Sequence, residues 1–177
     1  MRLFIRRIIG ATILDVATYE EVEADTGATL QALLVVLLSA LAAGIGARGF
    51  GYSQIPTLAL IGVVALLGWA IWALLTFEIG GRLFPEPQTE VDVGQLLRTI
   101  GFASAPGILR VFGALPEVAA PVFALTAVWM LVAMIVAVRQ ALDYTSTTRA
   151  VAVCGLGWAV TLAMILVLGL LISPPVS

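Results

Sequence analysis

Long runs without a charged residue dominate the chain. Ala28 to Ala47, Ile55 to Phe77, Val118 to Val138 and Ala150 to Ile172 are 20, 23, 21 and 23 residues long. At about 1.5 Å per helical residue each reaches roughly 30 Å, the thickness of a bilayer's hydrocarbon core. Each predicts a transmembrane helix. A fifth run, Gln95 to Leu115, has the same length but carries Arg98 near its start, Arg110 near its end and Pro106-Gly107 in its middle. It reads as a fifth crossing or, failing that, as a re-entrant or interfacial hairpin. The expected fold is an all-α polytopic membrane bundle of five transmembrane helices, at about 28–47, 55–77, 95–115, 118–138 and 150–172.

The polar stretches between these runs predict shorter elements. Residues 1–27 form a cytoplasmic N-terminal segment, and residues 28–177 the transmembrane domain. The start is apolar apart from Arg2, Arg6 and Arg7, which suits a short helix lying on an anionic membrane face with those arginines as surface contacts. The acidic stretch Asp15 to Asp25 follows, where a secretory signal would carry an uninterrupted apolar core and a cleavage site. Thr18-Tyr19-Glu20-Glu21 has the form of a capping box and predicts a helix from Tyr19 to Ala24. In the loop Glu78 to Gly94, Gly80-Gly81 and Pro85-Glu86-Pro87 signal turns. Thr89 with Asp92 then predicts a helix start that runs unbroken into the third span. The hydroxyl run Thr145 to Thr148 suits the cap of the last helix.

Composition supports the membrane reading. The chain is 61% apolar and 11% charged, with mean hydropathy +1.10. A soluble domain is about 45–50% apolar and roughly 25% charged. There is no histidine and no lysine, and Cys154 is the one cysteine. These absences exclude a His-based metal site, a Ser-His-Asp triad, a Schiff-base lysine and an internal disulfide. No metal, no cofactor and no enzymatic activity are expected. The net charge of −2 gives no attraction to nucleic acid. The nine basic residues orient the chain. Five crossings with a cytoplasmic N-terminus put Arg2, Arg6, Arg7, Arg82, Arg98, Arg139 and Arg149 inside and only Arg48 and Arg110 outside. Without the third crossing the bias falls to five against four. The C-terminus is then expected outside.

Charge at membrane depth is the default place to look for function. Arg110 lies about 7–8 Å from the outer end of its span. It either snorkels or forms a structural ion pair, or it binds a lipid phosphate or another anion. Pro106 removes a backbone donor beside Ser104, as in the broken helices of transporters. Glu78 and Arg98 flank the loop between the second and third spans and are placed to pair. Glu78, Arg98, Ser104 and Arg110 are therefore the candidate site for a ligand or partner. Small residues four apart, such as Ser39, Ala43 and Ala47, and the pair Gly101 and Ala105, read as packing faces within the chain. Trp69, Trp72, Trp129 and Trp158 fall inside spans and read as core packing, and Cys154 as a small apolar filler.

Several short phrases resemble the Yip family of membrane proteins (Rab/Ypt-interacting proteins and their prokaryotic relatives). They are Asp15-Val16-Ala17-Thr18-Tyr19-Glu20-Glu21-Val22 with Gln31-Ala32, then Gly101-Phe102-Ala103-Ser104-Ala105-Pro106, Val128-Trp129, and Thr147-Thr148-Arg149-Ala150. The resemblance covers roughly Ile8 to Ile172. It implies a cytoplasmic N-terminus and five helical spans, and it brings no catalytic residues to transfer. Eukaryotic members contact Rab GTPases through a longer cytoplasmic region, so that partner is not carried over to the 27 residues here. The short N-terminus and all-arginine basic set suggest a prokaryotic-type member in a bacterial or archaeal cell membrane. The expected role is non-enzymatic, as a scaffold or in membrane organisation. Its partners would be the bilayer with its anionic lipids and a protein on the cytoplasmic face. The alternative is a small transporter or lipid-handling protein that uses the broken third span.

Overall fold

The computed structural model describes residues 1–51 and 56–172. Ile55, expected to open the second span, and the C-terminal tail with Ser177 lie outside the described residues. The architecture is all-helical. In chain order it comprises α1 (Arg2–Thr12), α2 (Val16–Ala24), α3 (Ala28–Gly46), α4 (Pro56–Thr76), α5 (Val93–Ala103), α6 (Pro116–Ala141) and α7 (Thr147–Ile172). A 3-10 turn, Ala47–Phe50, ends α3. A π-helical segment, Phe77–Leu83, ends α4, and a 3-10 segment, Ala105–Ala114, follows α5. Among the described residues four helical stretches are long and apolar enough to cross a membrane: Ala28–Phe50, Leu60–Leu83, Pro116–Ala141 and Thr147–Met164.

Two expected helix starts move. Asp15, not Thr18, precedes α2; Thr18 sits one turn inside and its hydroxyl donates to the Asp15 carboxylate at 2.6 Å. Glu21 is drawn away to arginines of α1, so the capping box does not form. A capping box does open α5, with Asp92 accepting from the Gln95 amide and Gln95 accepting from the Asp92 amide. Thr89, expected at that start, instead donates to the Leu142 carbonyl at 2.8 Å.

The third hydrophobic run is two pieces rather than one unbroken helix. Pro106 cannot donate to the α-ladder, its ring crowds the carbonyl four residues back, and it biases Ala105 away from the α-helix. α5 therefore stops at Ala103, and the chain goes on as a 3-10 helix. With rises of about 1.5 and 2.0 Å per residue, the two pieces together reach roughly 35 Å. They run parallel to α3 along its length. A Cβ on Gly101 would meet Ala32, one on Gly107 would meet Ser39, and one on Gly46 would strike the Arg110 carbonyl. α6 returns antiparallel in the groove beside them, with Phe123 against Gly46 and Gly113 and Met130 against Gly107.

Size sorts the side chains of the bundle. α3 turns Leu30, Leu34, Leu38 and Leu41 outward, and buries Ala28, Ala32, Ser39, Ala42 and Gly46. α6 likewise exposes Leu125, Val128, Leu131 and Val132 and buries Ala119, Ala133, Ala137 and Ala141. Lipid tails solvate leucine as well as a protein interior does, so helices gain by bringing small residues together and letting backbones approach. The tryptophans divide along the same line. Trp69 and Trp129 face inward and donate to the carbonyls of Leu97 and Thr12 at 2.9 and 2.8 Å. Trp158, expected in the core, is 53% exposed and meets Trp72 edge-on from the lipid-facing side. Cys154 is buried as a small filler.

Close approach at Gly46 is a measurable part of this packing. Gly46→Ala is expected to destabilise the protein by about 1–3 kcal/mol through overpacking, read as a lower unfolding temperature in detergent. Gly155→Ala, whose added Cβ meets nothing within 4 Å, is expected to be neutral or slightly stabilising. Equal losses in the two variants would show that the contact is not special.

Candidate functional site

Two places hold the candidate site residues of this bundle. The first is the end that carries α1, α2 and the connections before α5 and α7, here called the near end. α1 packs Phe4, Arg7, Ile8 and Ala11 inward, the spacing of one helix face. Arg7 is therefore 3% exposed. Its guanidinium bonds Glu21 at 3.0 Å, Asp25 at 2.8 Å and Gln31 at 3.1 Å, tying α1 to α2 and to the start of α3. Arg6 bonds Glu21 at 2.6 Å from the rim, and Arg2 is exposed. Of the three arginines expected on the membrane surface, Arg7 is thus enclosed in protein.

Arg98 of α5 is 5% exposed and reaches α2. Its Nε donates to the carbonyls of Val22 and Glu23 at 3.1 and 3.0 Å, and Nη2 also donates to Glu23. These carbonyls belong to the last turn of α2, where they lack helical partners and carry the negative end of the helix dipole. Arg98 acts as a cationic cap supplied from another helix. Glu78, expected to pair with Arg98, instead binds Arg82 one turn on at 2.8 Å, and Arg82 lies over the Phe77 ring at 5.0 Å. The local partner within the π-helical segment wins over the distant one.

Glu23 stands in the middle of the near end. Gln95 donates to its carboxylate at 3.1 Å. Burial first, then the charges of Asp143, Glu20 and Asp92, push its carboxyl up to about 7, against the opposing pull of Arg98. Asp25 moves the other way, held below its ordinary value by the hydrogen bond from Arg7 and then by the Gly27 amide.

The second place lies deep between the spans. Ser104 closes α5 and its hydroxyl donates to the Gly101 carbonyl at 2.6 Å. Arg110 sits on the 3-10 segment. Its Nε donates to the Thr126 hydroxyl at 3.2 Å, and its guanidinium lies 5.5 Å from the Phe123 ring centre. Both residues line a crevice of about 340 Å3 between α3, α4, α5 and α6. Ala40, Ala43, Ala65 and Gly68 leave the room for it, Ser39 adds a hydroxyl, and Met130 and Trp69 form apolar walls. The structure thus brings Ser104 and Arg110 together and leaves Arg98 and Glu78 elsewhere. Ser39 and Thr126 were not legible as members, since neither is charged and each joins only through a neighbouring helix. The partners of Arg7 were signalled only by its place on the Phe4-Ile8-Ala11 face.

The family model for the Yip1 domain matches residues 15–169. The chain belongs to the Yip family of membrane proteins and is a multi-pass membrane protein. No curated protein and no solved structure matches it.

The raised carboxyl of Glu23 has a sign that can be tested. The folded state holds this proton more tightly than the unfolded chain does, so folding is favoured when Glu23 is protonated. Its contribution is present below the ordinary value of 4.5 and is lost as pH rises towards about 7. Glu23→Gln is expected to remove that slope. At pH 8 the variant should unfold higher than the parent by roughly 1 kcal/mol after allowance for solvent screening, or about 2–4 °C. Parallel melting curves for the two proteins from pH 4.5 to 8 would refute the assignment.

Proposed function

We propose that this Yip-family protein is a non-enzymatic, five-span membrane organiser, with its N-terminus in the cytoplasm and its C-terminus outside, in a bacterial or archaeal cell membrane. The reading of the third run as a crossing is supported by its parallel course beside α3 and by the arginine balance, seven against two.

The observation that carries the organising role is the outer face of α1. Leu3, Ile5, Ile9 and Ile13 are 44%, 48%, 56% and 66% exposed, and exposed Arg2 and Arg6 lie among them on the same face. A helix with this pattern lies in the plane of a bilayer interface, its apolar side among the acyl chains and its cations on anionic headgroups. Here the opposite side is fastened to the bundle through Arg7 and Trp129. Such a helix occupies the headgroup zone of one leaflet and fixes lipid order around the bundle. It also presents the acidic near end, with Glu20, Asp92 and Asp143, to a basic protein partner.

A second reading, a lipid-handling protein, is favoured by the crevice that reaches Arg110.

A reporter fused after Ser177 should read outside, and a cytoplasmic signal would reject the five-span orientation. A fluorophore at position 9 of the protein in anionic vesicles should be quenched by shallow lipid-borne quenchers. Ile5→Glu with Ile9→Glu, both on the exposed stripe, should leave the melting temperature unchanged and reduce ordering of anionic lipid around the protein. Full water exposure at position 9 in the parent would remove the organising role.

A further inference from the structure

The geometry points to the crevice around Arg110 as a binding site for a single-chain amphiphile with one terminal acid. The inference rests on the second, lipid-handling reading and names its ligand.

The direction of Arg110 is the first reason. An arginine near the end of a span ordinarily stretches outward to the headgroups. The Arg110 carbonyl lies against Gly46, which in turn faces Phe123. Its Nε donates to Thr126, three residues further along α6. α6 enters the bundle from the end that holds Leu115, so Thr126 is about 4.5 Å deeper than Phe123. The guanidinium therefore turns inward, away from the nearer surface and along the crevice.

Charge is the second reason. Glu21, Asp25, Glu78 and Glu86 take the cations of the ion pairs among the described residues, and Arg110 is in none of them. Among the described residues its partners are one neutral hydroxyl and the face of an aromatic ring. A guanidinium has five donors and only Nε is engaged here. A cation at this depth without a counter-ion is expensive, and an acid group offers the two acceptors that its remaining fork fits.

Shape is the third. The volume of about 340 Å3 is at the lower end of small-molecule sites, enough for part of one chain and too little for the two chains of a phospholipid. From Arg110 the walls run through Ala43, Ala40 and Met130 to Ile100 and Trp69. They supply apolar cover for a chain whose acid stays at the arginine. Ser39 and Ser104 stand between as neutral hydroxyls.

The test uses the full chain in nanodiscs of zwitterionic lipid at pH 8. The probes are a brominated long-chain carboxylate and the brominated alcohol of equal length, each read by quenching of tryptophan fluorescence. Trp69 and Trp72 line the crevice, so a bound chain quenches saturably above the background of bilayer partition. The carboxylate is expected to saturate at about tenfold lower concentration than the alcohol. Arg110→Gln should abolish that preference while leaving quenching by the alcohol, and Arg110→Lys should retain part of it. Gly68→Leu should remove saturable quenching by both probes; an added Cβ there meets nothing within 4 Å, so the bundle keeps its packing. Equal saturation by acid and alcohol, or a preference that survives Arg110→Gln, overturns the inference and leaves a lipid-handling crevice standing. Saturation by neither probe overturns the inference and the lipid-handling reading together.

Discussion

In hydrocarbon every backbone amide and carbonyl has to find its partner within the protein, and this requirement shapes the whole bundle. α3, α4 and α7 meet it along their own ladders, and α6 gives up one donor at Pro121 near its start. The run from Gln95 to Leu115 does not meet it alone, because Pro106 interrupts the α-ladder and a 3-10 segment follows. Irregular backbone is tolerated at membrane depth only where protein encloses it. α3 and α6 provide that enclosure, and they do so at glycines. Gly46 and Gly49 let the carbonyls of Arg110 and Gly113 lie directly on α3 and on the 3-10 turn that ends it, and Gly107 admits Ser39 and Met130. The inward face of small residues, the outward leucines and the crevice beside α4 follow from the same need to wrap one broken strand of chain.

A second layer of order sits at the near end, where two arginines grip α2. Arg7 holds its acidic side chains and Gln31 from α1, and Arg98 holds its terminal carbonyls from α5. Removing Arg98 would leave the Val22 and Glu23 carbonyls without their side-chain donor, and removing Arg7 would leave Glu21 and Asp25 without the cation that ties them to α1. The arrangement makes the first two helices a fixed part of the bundle rather than a loose extension. That fixing holds the outer face of α1 in one place on the bundle.

The sequence made the spans legible because their evidence is additive: twenty apolar residues outweigh any local ambiguity. The break at Pro106 was legible too, since proline acts through its own covalent structure. Pairings were harder to read. Thr18 and Glu21 match a capping box, yet Asp15 stands three residues earlier and offers a better acceptor, while Glu21 has two arginines within reach. Glu78 and Arg98 have complementary charge across a turn, but Arg82 one turn away needs no loop to bring it in. Arg110 was visible as an intramembrane charge. The direction of its side chain was not, because Thr126 and Phe123 come from a different helix and carry no charge that a sequence pattern would mark.

The 3-10 geometry of Ala105–Ala114 carries one more consequence. Such a helix repeats every three residues, so side chains three apart stack in a straight row without drift. Ser104, Gly107, Arg110 and Gly113 form that row, with both glycines turned towards α3 and α6. A triplet rhythm, rather than the usual amphipathic wheel, is thus the signature this stretch would leave in divergent sequences. The row is held by its contacts with both neighbours, so one inserted residue would swing Arg110 by a third of a turn and move it off its row.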